Sequence, residues 1–270
     1  MREAPSGRIV REPRSWRSPR LTFRPPAAVS ETPRRDFLTQ LAAAGLATAG
    51  LSAMGSDAHA QSAAAAGTGT GAPKFDDSWT ARVRGARHKA VFDAPEVQDG
   101  LGLWQAWLFR RGYREALGPA EAEATVPVVV IRHAATVLAI DDALWAKYKL
   151  GEMRKLNDPV TKKPAERNPF ARPLPDAPKP EGTLATMLEG QPEPNIQGLL
   201  KEGAIVLACN VALENMIGAM AKRSGQTPEA IRAEAHAHLV PGVILQPSGV
   251  YAVLRAQEAG CVYLRSTNAA

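Results

Sequence analysis

The sequence predicts an α/β domain built on a mainly parallel, five-stranded sheet. Short apolar runs alternate with helical periodicities about five times between His88 and Leu264, the pattern of parallel strands joined by right-handed helical crossovers. One of those runs, Val126 to Arg132, is apolar at almost every position, as strands buried on both faces of a parallel sheet are. Neither an internal repeat nor an apolar run of membrane-spanning length interrupts this part of the chain.

The elements follow in order. Gln61 to Asp77 is rich in Ala, Gly and Thr and reads as a flexible linker. The linker is taken to reach residue 85, ahead of a domain over residues 86–266. His88 to Asp93 is the first strand. Val97 to Leu117 carries apolar residues at 97, 101, 104 and 108, with Leu103 and Trp107 beside them; this spacing predicts a helix closed by Gly118-Pro119, its tryptophans packing in the core. After the second strand, Val126 to Arg132, comes His133. Asp141-Asp142 is placed to cap a helix over Ala143 to Lys149 that Gly151 ends.

From Arg154 to Pro180 seven prolines fall within 27 residues. Few apolar anchors accompany them, so the stretch reads as an inserted surface excursion: a lid, an oligomer arm or a plain solvated loop. Thr183 to Leu188 is a helical turn, and Ile196 to Glu202 a short helix stopped by Gly203. Ala204 to Ala208 is a buried strand running straight into an amphipathic helix, in which Leu213, Met216, Ile217 and Met220 recur at helical spacing. That helix ends at Ser224-Gly225. Thr227-Pro228-Glu229 opens another, through Ala237. Val243 to Leu245 is a brief strand, Pro247-Ser248-Gly249 precedes a helix to Ala259, and Cys261 to Leu264 is the last strand.

The N-terminal 60 residues have a different character. Thr32-Pro-Arg-Arg-Asp-Phe-Leu-Thr39 reads as a twin-arginine export signal, with a moderately apolar span from Leu41 to Met54. Ala58-His59-Ala60 reads as a cleavage site before Gln61. The expected location is therefore periplasmic or otherwise exported, with the twin-arginine translocase as transport partner; an uncleaved anchor is the alternative, although the apolar span is short for one. Residues 1–30 form an Arg- and Pro-rich preface, and a start at Val29 would suit the signal better. The formal charge of +6 does not imply nucleic acid. Residues 1–60 carry nine Arg and five acids, and the rest of the chain 24 basic and 22 acidic residues. With few aromatics and no basic–aromatic interleaving, a nucleic-acid partner is excluded.

No phosphate loop, GxGxxG turn, GxSxG elbow, CxxCH haem motif or metal-spaced cysteine pair is present, so no cofactor and no metal is expected. Ligands of open α/β sheets bind beyond the carboxyl ends of the strands, and the residues predicted there are Asp93, His133, Cys209 with Asn210, and Ser248. Cys209 stands at the joint of strand and helix. There the unpaired N–H groups and positive dipole end of the helix would face its sulfur, a setting that favours thiolate. The set suits a Cys nucleophile or sulfur carrier with His133 as proton partner and Asp93, Asn210 and Ser248 as polar lining. The alternatives are a packed cysteine, a structural histidine and a helix-capping acid. His236 and His238 point in different directions if helical. Cys261, at the start of the last strand, lies at the opposite edge from Cys209, too far for a disulfide.

Three features along the chain resemble the DsrE/DsrF-like family: the strand order, Cys-x-x-Ala-Leu at Cys209, Ala212 and Leu213, and the closing Gln257-Glu-Ala-Gly-Cys-Val-Tyr263. The resemblance spans Lys89 to Leu264. It implies a flavodoxin-like three-layer sandwich assembled as homo- or hetero-oligomers, here expected to be a homo-oligomer. In the sulfur-relay members the matching cysteine carries sulfur as a persulfide, a role that would fall on Cys209 with small sulfur species as partners. The export signal and the Pro-rich insertion depart from those members. A non-enzymatic ligand-binding or assembly module of the cell envelope is therefore a second expectation, and metal or haem binding near His133 a third.

Overall fold

In a computed structural model, which describes residues 75–179 and 181–267, the apolar runs become five strands of a single sheet, all parallel. The preface, the expected export signal and cleavage site, and residues 61–74 of the expected linker lie outside the described residues. The elements are α1 (Trp79–Gly85), β1 (His88–Ala94), α2 (Leu101–Leu117), α3 (Pro119–Glu123), β2 (Thr125–Ile131), α4 (Asp142–Tyr148), α5 (Leu150–Arg154), α6 (Gly182–Leu188), α7 (Ile196–Lys201), β3 (Ile205–Cys209), α8 (Asn210–Ser224), α9 (Pro228–Ala237), β4 (Ile244–Gln246), α10 (Gly249–Glu258) and β5 (Val262–Arg265). Two 3-10 turns, Gln98–Gly100 and His133–Ala139, precede α2 and follow β2.

The strand order is β4-β3-β2-β1-β5. The chain steps from β1 to β4 in one direction and returns once, to place β5 on the far side of β1. Alternation along each strand divides the sheet into two apolar faces. Phe92, Val129, Ile131 and Val206 join the core that contains Leu103 of α2 and Leu213, Met216, Ile217 and Met220 of α8. Val91, Val128, Val130, Ile205 and Leu207 join the other core, with Trp79 and Val83 of α1 and Ala252 and Ala256 of α10. The result is the expected α/β three-layer sandwich of flavodoxin-like type. Its winding is its own: the order 2-1-3-4-5 of flavodoxin itself reverses at a different place.

Several boundaries differ from the sequence expectation, each for a local reason. Residues 79–85 are not linker. They form α1, because Trp79 and Val83, four apart, bury almost completely against the sheet. The second strand stops before Arg132, which remains extended but leaves the strand core. Gly151 does not end a helix; it sits inside α5, where an added Cβ would lie 2.3 Å from the carbonyl oxygen of Ala165. Only glycine allows the following loop to approach so closely.

That loop is the Pro-rich excursion, and polar groups anchor it beside a few apolar ones: Ala165 and Ala171 are buried in the core, and Leu156 and Phe170 pack against it. Asn168 is fully buried. Its Nδ2 donates to the carbonyls of Leu138 and Ile140, each at 2.8 Å, and its backbone N–H donates to Asp142 Oδ1. The side chain thereby satisfies the carbonyl groups that end the 3-10 turn after β2, which the sheet leaves unpaired. Asp158 accepts from the backbone N–H groups of Val160 and Thr161 and from Arg167 Nε at 2.7 Å, while Arg167 also spans to Asp176. Hydrophobic periodicity is blind to such a clasp.

Two outcomes are expected. Asn168→Ala leaves buried carbonyls unpaired and should lower the unfolding free energy by about 2–4 kcal/mol in denaturant titrations. Burial alone would raise the Asp158 carboxyl, but the hydrogen bonds from Arg167 and from the Thr161 and Val160 N–H groups outweigh it and hold it below 3.8. A lowered folded value means that stability is present above the unfolded pKa and lost as pH falls through the folded one. The stability gap between the wild type and Asp158→Asn, measured at neutral pH, should accordingly shrink once the pH falls below the ordinary carboxylate range.

Candidate functional site

The residues two positions beyond the α10-facing core extend that face to the carboxyl edge of the sheet. Asp93 follows Val91 on β1, Arg132 follows Val130 on β2, Cys209 follows Leu207 on β3 and Gln246 follows Ile244 on β4. The register places Cys209 directly beside Gln246, and the β2–β3 pairing of Ile131 with Ala208, carried one residue further, brings Arg132 beside Cys209. Arg132 still donates its backbone N–H to Ala94 of β1 at 3.1 Å. From β5, the Tyr263 hydroxyl donates to Asp93 Oδ2 at 3.0 Å. One polar row, Tyr263–Asp93–Arg132–Cys209–Gln246, thus crosses the whole sheet.

The centre of the row is an ion pair. Arg132 Nε lies 2.6 Å from Asp93 Oδ1 and Nη2 2.9 Å from Oδ2, a bidentate arrangement around a carboxylate whose side chain is only 5% exposed. The hydrogen bond to Asp93 raises the Arg132 guanidinium above its ordinary value; partial burial opposes this, and the charge of Asp93 reinforces it. Burial, helped by the bond to Asp93, likewise raises the Tyr263 phenol. The aliphatic stem of Arg132 rests on Gly249, the first residue of α10: a Cβ there would fall 2.4 Å from Arg132 Cβ and 2.6 Å from Cδ.

Cys209 is the N-cap of α8. Its Sγ accepts the backbone N–H of Ala212 at 3.4 Å, the place an oxygen of Ser, Thr, Asp or Asn usually takes. Ser248 caps α10 in the same way, its Oγ accepting from Tyr251 N–H at 3.1 Å. The helix after β3 turns to one face of the sheet and the helix after β4 to the other. The carboxyl ends of two adjacent strands therefore part at a topological switch point, where open α/β sheets bind their ligands. Two helix N-termini and a guanidinium converge there, and all three favour negative charge. Gln246 closes the row. It is fully buried and donates to the Asp76 carbonyl at 2.7 Å, while its Oε1 takes no partner among the described residues. That oxygen is a free acceptor at the level of the sulfur.

The predicted residues fare differently. Asp93 and Cys209 lie in the row. Ser248 lies at the same crevice, but its hydroxyl is engaged as a cap. Asn210, the first residue of α8, lines a cleft of about 580 Å³ beside β4, together with Val243, Leu245 and the ion pair of Glu214 with Arg232. His133 does not join them. Its backbone is left-handed at φ 51°, its side chain is 73% exposed, and its Nδ1 lies 3.1 Å from Glu96. The position next to the sulfur belongs to Arg132, because alternation sends consecutive residues to opposite sides.

Arg132, Tyr263, Gln246 and Gly249 escaped the sequence reading. Counting two residues on from each apolar position of the α10-facing set would have found three of them. Cys261 precedes β5, separated from β3 by β1 and β2, and both cysteines are free thiols. Burial pushes the Cys261 thiol up to about 12. Among the described residues no three His, Cys, Asp or Glu side chains gather to hold a metal ion, and His238 is paired with Asp141 at 2.8 Å.

No protein-family model and no curated protein matches the chain, so the site rests on its own geometry. The support from Gly249 can be tested directly. Gly249→Ala should push Arg132 off Asp93 and strand a buried carboxylate, lowering stability by about 3 kcal/mol. Asp93→Asn in the same background should recover part of that loss in a double-mutant cycle of unfolding free energies.

Proposed function

We propose that the chain is an exported, DsrE-like sulfur carrier in which Cys209 holds sulfur as a persulfide. The observation that carries the proposal is the position of Cys209: its sulfur caps a 15-residue helix at the switch point of the sheet, with Arg132 beside it. A helix N-terminus and an adjacent cation are the surroundings in which a cysteine reacts as thiolate. With thiosulfate as donor, the Cys209 thiolate attacks the outer sulfur, the sulfur–sulfur bond of thiosulfate breaks, and sulfite leaves with the bonding electrons. The persulfide anion that remains carries one negative charge, which suits the same electropositive crevice. Because Cys209 is only 6% exposed, the donor is a small sulfur species. Arg132 takes the neighbouring place expected of His133, and it stabilises charge without transferring a proton.

Export follows from the twin-arginine pattern, and no described helix is long and apolar enough to cross a membrane. A second reading, a ligand-binding module of the envelope, is favoured by the cleft beside β4. Its sign would be a small molecule whose binding is lost in Leu245→Arg and unchanged in Cys209→Ser.

The carrier reading is tested by incubating the protein with thiosulfate or polysulfide and taking the intact mass. The expected result is the gain of one sulfur atom, located on Cys209 by peptide mapping and abolished by Cys209→Ser, with Cys261 unmodified. No gain of sulfur, or a gain that survives Cys209→Ser, contradicts it.

A further inference from the structure

Among the described residues no second strand pairs with β5, a short edge strand that ends in Arg265 but whose first three residues are apolar or aromatic. Natural edge strands usually carry lysine, proline or a bulge, or are covered by another element. Here Val262, Tyr263 and Leu264 are 72%, 41% and 46% exposed, and β5 has β1 as its only strand partner among the described residues. The Ser266 N–H donates to the Asp93 carbonyl of β1 at 2.8 Å. Since backbone groups alternate sides along a strand, Leu264 and Val262 also direct theirs to β1, and Tyr263 directs its N–H and C=O outward.

The side chains alternate as well. Val262 and Leu264 pair with Ala90 and Phe92, so they lie on the face that packs against α2. Leu108 of that helix is 41% exposed, one turn from Gln105, whose side chain accepts from Ser266 Oγ at 2.5 Å. Leu108 therefore stands on the side of α2 that carries Gln105.

We infer that β5 is the contact of a two-fold homodimer, in which the β5 strands of two copies pair antiparallel about Tyr263. A two-fold axis normal to the sheet brings equivalent residues together on the same face, as an isologous contact requires. Centred on Tyr263, the outward N–H and C=O of the two tyrosines exchange both hydrogen bonds. Val262 then stands opposite Leu264 of the second copy, and Leu264 opposite its Val262. These are non-hydrogen-bonded positions, where side chains approach most closely. The four residues cover one another and the two Leu108 side chains flank them.

Moving the axis to Leu264 would set Val262 against Ser266, and moving it to Arg265 would oppose two like charges. Residues 61–74, just ahead of the described residues, are Gln, Ser, Ala, Gly, Thr, Pro and Lys with no branched apolar or aromatic residue, a composition that makes a poor strand. The pairing would join two five-stranded sheets into one continuous sheet. It is independent of the sulfur reading.

The test is sedimentation of the full chain across a concentration series, alongside V262K/L264K. Both positions are exposed, so the variant is expected to keep the wild-type circular dichroism and sulfur loading. A concentration-dependent dimer whose dissociation constant rises by about a hundredfold or more in the variant is the expected result. Oxidative cross-linking fixes the register: V262C/L264C should form intermolecular disulfides efficiently and L264C alone should not. A monomer at all concentrations, or an oligomer indifferent to V262K/L264K, overturns the proposal. Efficient cross-linking of L264C alone overturns its register.

Discussion

The carboxyl edge of the sheet depends on the ion pair of Asp93 with Arg132. An ionised carboxylate buried as deeply as Asp93 is costly unless it is both paired and hydrogen-bonded. Arg132 supplies the pairing in bidentate form, and Tyr263 supplies a further donor. Three strands meet in this contact: β1 provides the acid, the extension of β2 the base and β5 the phenol. A fourth element is fixed by it, because Gly249 sets α10 directly upon the arginine stem. The pair is thus a structural clamp first. Beyond that it holds a permanent cation beside Cys209 without leaving a buried charge unpaired.

A similar economy governs the Pro-rich segment. Beside the apolar contacts of Leu156, Ala165, Phe170 and Ala171, Asn168 and Asp158 hold it in place by satisfying backbone groups that the turn after β2 and the loop itself would otherwise bury unpaired. The turn in question is continuous with Arg132. Loop, turn and ion pair follow one another along this side of the sheet, the loop tied to the turn by the Asn168 hydrogen bonds and the turn leading back to Arg132.

The layers of this fold were legible in the sequence because burial writes itself into periodicity. The doubly buried run of β2, the strand-to-helix joint at Cys209 and the helix starts after Thr227 and Ser248 were read within a residue or so. What escaped depends on relations between segments. Trp79 and Val83 are too few to announce a helix by pattern, and Asn168 makes its hydrogen bonds to residues about 30 positions away. Strand register decides that Arg132, and not its neighbour His133, stands beside the sulfur. Gly249 looks like an ordinary helix-start glycine until the arginine stem is placed against it. The site was therefore legible as an edge and a cysteine. Its second charged member was one residue away from the one chosen.

The central claim is that the switch point at the ends of β3 and β4 makes Cys209 the reactive thiol of this chain. The direct measurement is the site-resolved rate of alkylation of the two native cysteines by a small electrophile under native conditions, in the wild type and in Arg132→Gln. Cys209 should react at least about tenfold faster than Cys261, which burial keeps protonated, and the substitution should slow Cys209 while leaving Cys261 unchanged. Equal rates, or a faster Cys261, would contradict the account.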